Sequence, residues 1–75
     1  MSWNYRLCRK EIDGEVRIGF VEAYYDEPDG KVTAVTENFV SPEGDDSREL
    51  MQRVIKAHEK PILFVNNDGK IEEYA

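Results

Sequence analysis

Cysteine occurs once in this 75-residue chain, at Cys8, and histidine once, at His58. A lone cysteine has no internal disulfide partner, and without CxxC spacing or a Cys/His cluster the ligands of a zinc site are absent in number. Nucleophilic catalysis of the Cys-His kind also needs a group that orients the base, and no spacing here supplies one. His58 reads instead as a last-turn helix residue near the terminal carbonyls, and Cys8 as a small buried strand residue. GxGxxG, Walker and GxSxG motifs are missing, which removes dinucleotide, nucleotide-loop and common hydrolase readings. No apolar run approaches the roughly 20 residues of a membrane span, and MSWNYRLCRK lacks the apolar core of a secretory signal. A reducing cytoplasm is the expected compartment, with no membrane partner. No Pro-, Gly- or Ser-rich stretch marks a linker, so residues 1–75 read as a single small α+β domain.

Such a domain buries only about 60% of the surface its unfolded chain exposes. The 40% apolar and 11% aromatic content suffices for a core, with little left for a deep cleft. The net charge of -6 is unevenly spread: residues 21–46 hold one lysine against eight acids, whereas residues 1–20 hold four bases and three acids. An acidic middle third opposes phosphate binding there and favours solubility or a basic partner.

Trp3, Tyr5 and Leu7 alternate with Asn4, Arg6 and Cys8, the period of a strand. Asp13-Gly14 is the preferred pair for a type I′ hairpin turn, which sets Ile12 against Glu15, Leu7 against Phe20, Tyr5 against Glu22 and Trp3 against Tyr24. A second strand runs from about Val16 to Tyr25. Pro28-Asp29-Gly30 then suits a bulged turn pairing Glu27 with Lys31, and a third strand covers about Lys31 to Val40. Asp46 and Glu49 have the form of a capping box, although Ser47 or Asp45 could also cap. Leu50, Met51, Val54, Ile55 and His58 recur at helical spacing over about Ser47 to Glu59, and Pro61 ends that helix. Ile62 to Val65 reads as a buried strand, and Asp68-Gly69 as a further turn. The expected fold is a three-stranded antiparallel meander with one helix packed on it, in the order β-β-β-α-β, with room for a C-terminal hairpin.

The pairing puts Trp3, Tyr5, Leu7, Val16, Ile18, Phe20, Tyr24, Val32 and Ala34 on the face expected to seat the helix. The opposite face receives Cys8, Ile12, Val21, Ala23, Tyr25, Val35 and Phe39. One helix covers one face, so the second face calls for cover by the C-terminal segment, another subunit or a partner. Val21, Tyr25, Val35, Phe39 and Glu37 form the candidate interaction surface. Glu22 falls among apolar neighbours opposite Tyr5 and beside Tyr24, a setting in which an unpaired carboxylate is costly, and these three make a candidate shallow pocket.

Other chemistry fits poorly. Counting back from Gly30 or Gly69, the first position of a calcium loop is Tyr25 or Phe64, neither an oxygen ligand of the required kind. Arg6, Arg9, Lys10 and Arg17 lie near Trp3 and Tyr5, but the acidic whole disfavours nucleic acid. No catalytic residue, metal or cofactor is expected.

The stretches NYR, VEAYYDEPDGK, TENFVSPEG and KAHEKPIL resemble elements of a family of short uncharacterised bacterial proteins, over about Asn4 to Leu63. The resemblance implies a small bacterial α+β protein and carries no activity or site residue with it. The reading from the residues is a non-enzymatic protein-interaction module that uses the uncovered sheet face, toward a protein partner or a second copy of itself. Two alternatives are a small ligand-binding protein or enzyme built around Glu22, and an acidic mimic of nucleic acid that engages a basic partner.

Overall fold

The computed structural model describes residues 2–26 and 29–74. It is a mixed α+β fold: strands β1 (Ser2–Ile12), β2 (Glu15–Asp26) and β3 (Lys31–Val35) precede helix α1 (Ser47–Glu59), and strands β4 (Ile62–Val65) and β5 (Ile71–Tyr74) follow it. The strands form one sheet in the order β3-β2-β1-β4-β5.

Asp13 and Gly14 both adopt positive φ, 52° and 80°, as a type I′ turn requires. The expected register follows, with Ile12 opposite Glu15, Leu7 opposite Phe20, Tyr5 opposite Glu22 and Trp3 opposite Tyr24. Asp46 caps α1 by accepting a 2.9 Å hydrogen bond from the Glu49 amide. Glu49 reaches back in turn, but to the amide of Asp45 at 3.2 Å, one residue before the usual capping-box donor.

The sheet departs from the expected three-stranded meander. β4 joins it as the parallel neighbour of β1, with Leu63 beside Cys8, and β5 pairs antiparallel with β4. The outer edge of β1 is the place where the apolar run Ile62 to Val65 gains both strand hydrogen bonds and cover on its faces. β3 ends at Val35 rather than near Val40. Beyond it the chain stays beside β2 through single bonds, Thr36 N–H to the Glu22 carbonyl at 3.0 Å and Val40 N–H to the Phe20 carbonyl at 2.8 Å. The β2–β3 hairpin closes with Lys31 opposite Asp26 rather than the expected Glu27, because the register shifts by one at Tyr24/Tyr25; Glu27 and Pro28 themselves lie outside the described residues.

The register of β2 with β3 shifts between Tyr24 and Tyr25. Tyr24 pairs with Ala34 and Tyr25 with Val32, so Thr33 is the extra residue, and Val32 turns away from the helix side expected for it. Val32 and Val35 both pack on the core cluster of Cys8, Val21, Ala23 and Leu63, joined by Phe39 and Ile71. That cluster lies on the face opposite α1. The sheet curls over it until β3 and β5 touch, so its two outer strands supply the cover that a flat sheet would need from elsewhere. On the other face α1 lies against β1, with Ala57 buried and His58 meeting Phe20 edge-on at 5.8 Å.

Candidate functional site

Curling decides the fate of the expected interaction surface. Val21 is fully buried, because Leu63 and the β3 valines close over it, and it forms no part of an accessible patch. Tyr25, Val35 and Phe39 are half-buried, and Glu37 is exposed. The Phe39 ring lies on Gly19, where even a methyl group would meet ring carbons at 2.7 Å. Nearby, Lys10 Nζ donates to the carbonyls of Thr36 and Glu37, tying this loop to β1.

Cys8 belongs to this concave core and burial pushes its thiol pKa up, whereas His58 packs on Phe20 across the sheet. The two are therefore on opposite faces and cannot act as a nucleophile–base pair. Arg6 is the buried charged residue of the same side, 6% exposed. Its Nη2 donates to the Pro61 carbonyl at 2.7 Å, Glu73 stands 4.0 Å away, and desolvation depresses its pKa more than Glu73 raises it. Among the described residues its Nε, and Asn4 Oδ1 two positions before it, lack hydrogen-bond partners.

The candidate pocket of Glu22, Tyr5 and Tyr24 divides on the helix side. Tyr24 Oη donates to Glu22 Oε1 at 2.7 Å, which answers the carboxylate's need for a donor. That bond, first, and then burial raise the Tyr24 pKa. Tyr5 instead accepts the Glu43 N–H at 3.1 Å, which fixes its ring under the loop that leads into α1. Glu22 lines none of three clefts found among the described residues.

Sequence reasoning missed a cleft beside Tyr5. It encloses about 340 Å³ between Trp3, Asn4 and Tyr5 of β1 and Arg53, Lys56 and Lys60 at the end of α1. The Trp3 and Tyr5 rings meet edge-on at 5.2 Å, and the Arg53 guanidinium lies 5.8 Å from one ring centre and 5.9 Å from the other. Arg53 is held there by Glu49 at 3.0 Å and by the Glu43 carbonyl at 3.1 Å. The signal was present as cations at positions 53, 56 and 60, spaced to share one side of a helix. Cations near a helix C-terminus also agree with the helix dipole, which is a sufficient explanation for them without a cleft.

A second feature missed from sequence is the row of exposed apolar side chains on the helix side. Val16 and Ile18 are 53% and 54% exposed, on the same strand face as Phe20. Met51 and Ile55 are exposed on α1, Ile55 one turn before the His58 that touches Phe20. Among the described residues no group of three or more His, Cys, Asp or Glu could hold a metal ion, and no helix is long and apolar enough to cross a membrane.

Comparison of the chain with protein-family models, with curated proteins and with solved structures finds no match.

Proposed function

We propose that this chain is a small non-enzymatic protein-interaction module that accepts a strand on the open edge of its long hairpin, and that its partner there is a second copy. The observation that carries this is the outer edge of β2. Phe20 and Glu22 turn their backbone groups outward, where Val40 and Thr36 bond them. With a period of two, Val16 and Ile18 also face outward, and among the described residues neither has a strand beside it, because β3 pairs with β2 only from Ala23 onward. An unpaired edge carrying exposed β-branched side chains is a template for strand addition.

Charge selects the partner and the register. A two-fold antiparallel pairing centred on Val16 sets Glu15 of one copy opposite Arg17 of the other and lets both Val16 residues exchange backbone bonds. Centring on Arg17 would oppose two like charges, and centring on Ile18 would compete with Val40 for Phe20. The net charge of -6 on each copy opposes association, so added salt should strengthen it.

Light scattering across micromolar concentrations tests this. Twice the 8.7 kDa monomer mass is expected for the wild type, rising in population with salt. Val16→Lys, at an exposed site, should stay monomeric, with a melting temperature that matches that of the wild type diluted to its monomeric range. A wild-type mass that stays at the monomer value would refute self-pairing.

A further inference from the structure

We infer that the cleft between Trp3 and the end of α1 is a binding site for a nucleoside monophosphate, with the base against the indole and the phosphate on Lys56 and Lys60. The first ground is the sign of its charge. The molecule as a whole carries -6, and two further clefts among the described residues each include carboxylates, Glu11 and Glu37 in one and Glu72 and Glu73 in the other. The lining of this cleft has three cations and no acid. Arg53 is balanced by Glu49, but Lys56 and Lys60 form no ion pair among the described residues. Lys56 lies in the last turn of α1 and Lys60 is its C-cap, and both line the cleft, which lets two ammonium groups meet a single multi-oxygen anion there. A phosphate monoester, with a charge of about -1.5 to -2 at neutral pH, matches that pair better than a monovalent carboxylate.

The second ground is the aromatic wall. Trp3 remains 43% exposed beside the helix, although the edge of Tyr5 and the Arg53 guanidinium hold its ring in place. Tyr5 is itself fixed by Glu43, so the platform is set before a ligand arrives. A fixed, half-open indole beside two free ammonium groups offers a base a stacking surface of the kind that holds bases in nucleic-acid complexes. The volume, about 340 Å³, lies at the small end of ligand sites. Size and overall charge both favour a mononucleotide over a strand, because a polyanion would meet the acidic remainder of the surface.

Trp3 is the only tryptophan, so its indole N–H gives one assignable cross-peak in a nitrogen–proton correlation spectrum. Titration with adenosine 5′-monophosphate should move that peak saturably. Adenosine and inorganic phosphate, added separately, should bind at least about tenfold more weakly. Lys56→Gln combined with Lys60→Gln, both at exposed positions, should weaken binding by a similar factor while the melting temperature holds. An indole peak unmoved by the nucleotide overturns the site. So does inorganic phosphate that binds as well as the nucleotide, or a double variant that binds undiminished. A short oligothymidylate that binds more tightly than the mononucleotide would reassign the cleft to single-stranded nucleic acid and overturn the mononucleotide reading.

Discussion

Glu22 and Tyr24 stand two residues apart on one face of β2, and their 2.7 Å hydrogen bond makes Tyr24 a weaker acid than its ordinary value of 10.0. Because the bond is donated by the protonated phenol, its contribution is complete below that ordinary value and is lost as pH rises through the elevated one. Glu22→Ala should therefore bring the Tyr24 ionisation back toward 10.0, followed by its ring-carbon resonance during a pH titration. An ionisation that does not move would mean that the carboxylate is not the cause. The strand position of Glu22 was legible, because Asp13-Gly14 fixes the register. Its partner was not, since the competing Tyr5 hydroxyl is claimed by the Glu43 amide of a distant loop, a contact that no periodicity encodes. Val32 was misplaced for a related reason: the bulge at Thr33 reverses every side chain beyond it, and a β-branched run gives no sign of where such a residue falls.

Local chemistry sets the bounds of α1. The Asp46 cap, the apolar spacing and Pro61 are all contained within the segment, and the helix spans Ser47–Glu59 as expected. Asp46→Ala removes the acceptor for the Glu49 amide and is expected to cost about 1 kcal/mol. In a domain of this size that lowers the melting temperature by about 4–8 °C, measurable by circular dichroism, and an unchanged midpoint would show that water or Ser47 replaces the cap. The sheet order is another matter. A parallel partner for β1 drawn from 55 residues away leaves no local trace, because Ile62 to Val65 reads the same whether it caps the meander or enters its centre. β4 was recognisable as a strand, although Leu63 is its one buried residue and Val65 is exposed; its neighbour was not.

Across the molecule, curvature replaces the partner that a flat sheet would need. Which face forms the core depended on how far the strands curl, and that follows from the bulge near Tyr24 and from Gly19 admitting the Phe39 ring, neither of which announces itself by composition. The two faces were sorted correctly for β1 and β2, and the face expected to need cover from the C-terminal segment, another subunit or a partner is the more deeply buried one, with Leu63 of β4 and Ile71 of β5 among the residues that close it. Cys8 reports on that closure. Fully buried and with its thiolate disfavoured, it should react with Ellman's reagent only as fast as the domain opens, and promptly once denaturant unfolds the chain. Rapid reaction under native conditions would mean that the curl opens locally.

The position of β1 between β2 and β4 also orders the events of folding. The β1–β2 hairpin closes through a two-residue turn and has every means to form early, yet its core-facing side stays wet until residues 62–65 return to lie beside Cys8. Docking β4 therefore joins a fast local step to a slow long-range one. In refolding, hairpin formation should outrun burial of the thiol, which leaves the exposed edge of β2 as the surface through which partly folded chains first meet.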